Sequence, residues 1–107
     1  MDTKFVLLID DCRELNVELI ARTASAGRAM LEAFKGRIEQ VIFDHDLGSD
    51  ETGYDVLNWA LENDYVPDRV FLITSNPVGR DNMGRALEAN GFVRVRGSNS
   101  EFERPVK

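Results

Sequence analysis

The stretch Phe5-Val6-Leu7-Leu8-Ile9-Asp10-Asp11 decides the fold: an unbroken apolar run stops abruptly at a pair of carboxylates. A short continuous run of this kind is the mark of a strand buried on both faces, and such strands belong to parallel sheets. Two further runs, Val41–Phe43 and Val70–Ile73, have the same character and are also bounded by polar or turn residues. Helical periodicity fills the intervals. Ala24–Phe34 places Ala26, Met30, Leu31 and Phe34 on one face, and Asp55–Glu62 does the same with Val56, Trp59 and Ala60. Asn82–Ala89 gathers Met83, Ala86 and Leu87 and meets a natural stop at Gly91. A fourth strand, Phe92–Arg96, alternates apolar and basic residues, as a strand near an edge does.

Strands alternating with helices require right-handed crossovers and a doubly wound, mainly parallel sheet, so the fold class is α/β. Ligands of such sheets bind beyond the carboxyl ends of the strands, where strand order reverses. The segment Cys12–Thr23 is too short for both a full helix and a full strand. A brief second strand within Val17–Arg22, reached by a nearly extended connection, is the preferred assignment over a short helix. Residues 1–107 are expected to form a single domain, with 97–107 read as a flexible tail or, through Phe102, as a lid folding back on the sheet.

Composition narrows the functional classes. The chain has 107 residues, 43% hydrophobic and 30% charged, with a formal net charge of −6. That charge argues against tracking an extended nucleic-acid duplex, which calls for a basic stripe. Arg80, Arg85, Arg94 and Arg96 still offer local contacts to one or two phosphates. No apolar run approaches the ~20 residues of a membrane span, and the start lacks the features of a signal peptide. One cysteine, Cys12, allows no internal disulfide, so a cytoplasmic location is expected.

The chemistry gathers at the strand ends. The first strand stops at Asp10-Asp11 and the next at Asp44-His45-Asp46. If these strands are neighbours, both acidic tips face one crevice. Two carboxylates about 4 Å apart repel by roughly 4 kcal/mol at an effective dielectric near 20. Bringing them together calls for a cation, a shared proton or a raised pKa. Hard oxygen donors in this number suit Mg²⁺ or Mn²⁺, with Asp10, Asp11 and Asp44 as metal ligands and a phosphate as the bridged partner. For a single Asp pair, solvated turn formers are the simpler explanation; two clusters at equivalent strand ends favour a site.

After the third run comes Thr74-Ser75-Asn76-Pro77-Val78-Gly79-Arg80-Asp81-Asn82-Met83. Thr74, Ser75, Asn76 and Arg80 are candidate phosphate contacts, helped by backbone N–H groups at the start of the next helix. Equally open is a plain turn at Asn-Pro and Gly, with Asp81 capping the helix and Arg80 solvated. His45, the only histidine, is either a general acid or phosphate contact between Asp44 and Asp46, or a ring packed under the loop. In the loop Gly48–Gly53, Asp50 and Glu51 are expected to face solvent. Tyr54 and Trp59 are expected to pack in the core. Cys12 is expected to be packed and unreactive, because neighbouring carboxylates suppress its thiolate.

These residues resemble a receiver domain: VLLIDD is similar to the strand and acid pair that hold a metal, VIFD to the strand presenting the phosphoacceptor, and ITS to the strand ending in a hydroxyl. The resemblance is closer still to cyclic-phosphate-processing receiver domains, on the strings DDCR, RTASA, DHDLG, TGYDV and TSNPVGRDNM. It implies a receiver-like, flavodoxin-like fold that binds or acts on cyclic phosphate ends of RNA or nucleotides. Asp11 and Asp44 would hold the metal with Asp10 assisting, His45 and Asp46 would sit at the reacting phosphate, and Asn76 and Arg80 would contact its oxygens. On this basis Asp44, His45 and Asp46 are the candidate catalytic residues.

The chain also departs from receivers. FVRVRG offers no counterpart to their fifth-strand lysine, and Ile73 stands where the branch often has a histidine. The distance from Asp11 to Asp44 is about ten residues short of a full receiver. The first and last helices are therefore expected to be shortened or missing, leaving one sheet face uncovered and inviting a homodimer or another protein partner. Three functions remain: a metal-dependent site that binds or hydrolyses a small cyclic or terminal phosphate, a phosphoacceptor signalling receiver, and an inactive pseudo-receiver that acts as an interaction module.

Overall fold

A computed structural model describes residues 4–105. The elements run β1 (Phe5–Ile9), β2 (Leu19–Ala21), α1 (Ala24–Ala33), β3 (Ile38–Phe43), α2 (Gly53–Glu62), β4 (Arg69–Leu72), α3 (Pro77–Ala89), β5 (Val93–Arg94), a 3₁₀ turn (Val95–Gly97) and β6 (Glu101–Glu103). Sheet order is β2-β1-β3-β4-β6-β5. The first four strands in that order are parallel, and β6 lies antiparallel between β4 and β5. The chain winds outward from β1 in both directions, giving a reduced receiver-like fold whose switch point falls between β1 and β3.

The continuous apolar runs behave as buried strands should. Leu7, Leu8, Ile9, Val41, Phe43 and Val70 are fully buried. Alternate residues, among them Leu7, Ile9, Val41, Phe43 and Leu72, join Leu31, Val56, Leu57, Met83 and Leu87 of the helices in one core cluster. Tyr54 and Trp59 pack against that cluster as expected. The three helices lie side by side, α2 between α1 and α3. Among the described residues no α-helix is left for the other face, which carries the fully buried Leu8 and the half-buried Val6, Ile20, Ile42 and Phe71. Both missing helices are thereby accounted for. The β1–β2 connection holds no helix, and the place of the last one is taken by a strand.

Two expectations are corrected here. Helix α3 starts at Pro77 rather than Asn82, because Asn76 caps it through a side chain accepting from the Gly79 N–H, and proline is favoured in the first turn. The candidate cap Asp81 lies inside the helix. Part of the tail is a strand rather than a lid: Glu101–Glu103 pair with both β4 and β5. The driving residue is Phe102, fully buried, which meets Gly84 on α3 and carries the Arg94 guanidinium 4.9 Å above its ring. Arg96 (φ 52°) and Gly97 (φ 74°) turn the chain back, and the Ser98 hydroxyl accepts from the N–H groups of Ser100 and Glu101. Arg94 is thus engaged with Phe102 and Glu88, and Arg85 with Asn82, away from the strand tips.

Truncating a fully buried phenylalanine leaves a cavity as well as losing transfer energy. Phe102→Ala is expected to cost about 3–5 kcal/mol in urea unfolding. A loss under about 1 kcal/mol would show β6 to be dispensable.

Candidate functional site

The parallel ladder continues past the strands and sets three tips side by side. Asp10 N–H donates to the Ala21 carbonyl (3.1 Å), Asp44 N–H to Ile9 (2.9 Å) and Ile73 N–H to Phe43 (2.8 Å). Asp10 and Asp44 therefore flank the switch point, as their positions at adjacent strand ends require.

Asp10 is only 1% exposed, and its carboxylate is already engaged. Oδ1 accepts from the N–H groups of Cys12 and Arg13 (both 3.1 Å), and Oδ2 pairs with Arg13 Nη1 at 2.8 Å. The same Arg13 nitrogen donates to the Ile73 carbonyl at 3.0 Å, joining the tips of β1 and β4. Arg22 fixes the loop from the other side, Nη1 donating to the carbonyls of Arg13 (2.7 Å) and Asp10 (3.2 Å). Neither arginine's role was visible in the sequence. The only hint was an arginine three residues after an aspartate in a strand-end pair.

Asp44 has no cationic partner among the described residues. Burial, and then the charge of Asp10, push its carboxyl above the ordinary 3.8, against the opposing effect of a hydrogen bond from Thr74 and weaker ones from the Asp46 and His45 backbone. Thr74, 7% exposed, also accepts from the Asn76 N–H at 3.1 Å. Gly53 has to be glycine, because a Cβ there would run into the Asp44 carbonyl. The Gly53 N–H donates to the His45 carbonyl at 2.7 Å, locking the β3–α2 loop onto the site. Arg28 anchors the far side of that loop with a two-pronged pair to Glu51 (2.7 and 3.0 Å), and Glu51 stays exposed to solvent as expected.

The His45 ring packs against the first turn of α3, where a Cβ on Gly79 would collide with it. Its Nδ1 lies 3.0 Å from Asp46 Oδ1 and 3.5 Å from Asn76 Nδ2. His45, Asp46 and Asn76 are thus brought together, and the packed ring and the polar contacts are both present. Arg80 follows in the same helical turn. Its Nε is buried without a hydrogen-bond partner, and no ion pair satisfies its guanidinium among the described residues. Ser75 is exposed and makes no side-chain hydrogen bond among the described residues.

Asp11 is exposed; its Oδ2 lies 2.8 Å from where a Cβ on Gly48 would sit, and Gly48 has φ of +69°. Asp10, Asp11 and Cys12 each bring a ligand atom within 4.8 Å of the others. Cys12 is exposed rather than packed, its thiol pushed up first by Asp11 and then by burial and Asp10. Asp44, the third metal ligand expected from the sequence, lies outside this group among the described residues; Asp11 and Asp44 share only the hard oxygen donor type that Mg²⁺ or Mn²⁺ takes. A cleft of about 340 Å³ lies at the opposite, amino ends of the strands, between Lys4, Lys35, Ile38, Tyr65 and Arg104. Its Lys35 and Arg104 are paired with Asp64 and Asp68, while Lys4 donates to the Gly36 carbonyl. No helix among the described residues is long and apolar enough to cross a membrane.

The raised Asp44 carboxyl has a consequence for stability. From 3.8 up to its raised value the folded chain binds the proton more tightly than the unfolded chain, so stability falls as pH rises through that window. In metal-free buffer, Asp44→Asn is expected to melt above the parent at pH 7, the gain vanishing below 3.8. Equal melting temperatures at pH 7 would contradict this.

No curated relative and no solved structure gave a match. A family model described as the cyclic-phosphate processing receiver domain matches residues 5–89, which takes in the acid tips, His45, the capping Asn76 and Arg80. The chain belongs to the cyclic-phosphate processing receiver domain family.

Proposed function

We propose that the strand tips bind and hydrolyse a small cyclic or terminal phosphate, a nucleotide or an RNA end. The observation that carries this reading is the buried, partnerless Nε of Arg80, one turn into α3, the helix whose capping Asn76 lies against His45. A buried guanidinium nitrogen without an acceptor is costly, and a phosphate oxygen is the acceptor that suits it. Asp11 and Asp44, with Asp10 behind them, would hold Mg²⁺ or Mn²⁺, which when bound neutralises negative charge and lowers the pKa of water. Thr74 orients Asp44, while Ser75 and Asn76 border the phosphate. In ring opening, water forms one P–O bond as the ring P–O bond breaks. The leaving oxygen would take a proton from His45, held by Asp46, and the proton that the attacking water sheds would pass to solvent.

The test is ³¹P NMR with Mg²⁺ or Mn²⁺ and a 2′,3′-cyclic nucleotide. The cyclic resonance is expected to convert to a monoester, and Asp44→Asn to abolish the conversion. Arg80→Ala is expected to weaken ligand binding about tenfold, the scale of a lost charge-assisted hydrogen bond. A new acyl-phosphate signal with acetyl phosphate would favour a phosphoacceptor switch instead. Unchanged spectra in both would leave an interaction module.

That second reading rests on one observation, the helix-free face bearing Val6, Ile20, Ile42 and Phe71. A second copy of the chain is the proposed occupant. The rim carries both signs, with Arg69 3.7 Å from Glu101 and across from Glu103, so a two-fold related copy can exchange these pairs. Sedimentation velocity at tens of micromolar is expected to show a dimer; a monomer would remove this occupant.

A further inference from the structure

We propose that Arg13 is the second phosphate-contacting cation of this site, held in reserve on Asp10 and released to the ligand when a divalent ion engages that carboxylate; this rests on the reading above. Arg13 spends one nitrogen, Nη1, on both of its fixed contacts, Asp10 Oδ2 and the Ile73 carbonyl. Its Nη2 and Nε have no hydrogen-bond partner among the described residues, and the side chain is 40% exposed. Half of a planar fork therefore faces solvent at the strand tips, in the geometry that suits phosphate oxygens.

The surroundings hold the backbone still and leave the side chain free to exchange. Arg22 clamps the Arg13 and Asp10 carbonyls, and the Asp10 carboxylate caps the Arg13 N–H. Only the guanidinium can change partner without dismantling the loop. Its carbonyl contact, Ile73, immediately precedes Thr74–Asn76, the segment from which α3 and Arg80 follow. Arg13 thus bonds the residue at the head of the segment that leads into α3, the helix that carries Arg80. A phosphate diester presents two non-bridging oxygens, one for each arginine.

Asp10 is what couples the two halves of the site. Its carboxylate already accepts from three donors, and a carboxylate has about four acceptor positions. A cation drawn to Asp10 and Asp11 therefore competes with Arg13 Nη1 for Asp10 Oδ2. Linkage makes the effect mutual: an ion that frees Arg13 tightens phosphate binding, and phosphate that captures Arg13 tightens ion binding.

The experiment follows side-chain Nε–Hε resonances by NMR, with the Arg13 signal assigned through Arg13→Lys, during titration with Mg²⁺ and inorganic phosphate. Mg²⁺ alone is expected to shift the Arg13 signal, and phosphate to shift it further only with Mg²⁺ present. Arg13→Lys keeps the charge and the tether but loses the fork. It is expected to bind phosphate about tenfold more weakly in Mg²⁺ without weakening binding of Mg²⁺ alone. An unmoved Arg13 signal while Asp11 and Asp44 amides respond would overturn the role of Arg13 and leave the metal–phosphate site standing. Parent-like phosphate affinity in the lysine variant would do the same. Amides that respond to neither Mg²⁺ nor phosphate would overturn both.

Discussion

A carboxylate buried to 1% exposure sets the terms for this molecule. Removing a charge from water costs several kcal/mol unless partners replace the solvent. Asp10 meets that requirement with two backbone N–H groups and the Arg13 guanidinium, all supplied by the residues that immediately follow it. The chain must therefore turn at once after β1, and a helix cannot begin there. Arg22, placed just after β2, closes the turn by bonding the carbonyls of Asp10 and Arg13, and Thr23 then caps α1. One buried group thus orders everything from the end of β1 to the start of the first helix. It also shapes the chemistry, because Asp44 sits beside a carboxylate whose charge is already matched and is left without a cation of its own.

How much of this could be read beforehand depended on the range of the forces involved. β1, β3 and β4 were legible because a strand buried on both faces must be apolar at every position. The acid tips were legible because such runs end where water begins. The start of α3 was misplaced because Asn76-Pro77 satisfies a turn and a helix entry equally well in sequence; only the Gly79 N–H bonded to Asn76 distinguishes them. Strand β6 left almost no trace, since Glu-Phe-Glu offers one apolar residue and its register is imposed by the edge of β4 and the space beside Gly84. The roles of Arg13 and Arg22 were invisible for a related reason. Their acceptors include main-chain carbonyls, and a carbonyl has no sequence signature.

The loss of the first helix and the nature of the site are two results of the same shortening. A helix between β1 and β2 would cover the face of Leu8 and Ile42. Here that face has no helix, and the short connection is instead fastened across the strand tips by Arg13. Asp10, Asp44 and Ile73 each lie two residues beyond Leu8, Ile42 and Phe71, so strand alternation puts the acid crevice on the side of the uncovered face. The site and the apolar surface therefore adjoin. Val6, Ile42 and Phe71 are half-buried and lead to the end of the sheet where Arg13 bridges Asp10 and the Ile73 carbonyl. In this reduced fold the Arg13 side chain that makes the bridge stays 40% exposed.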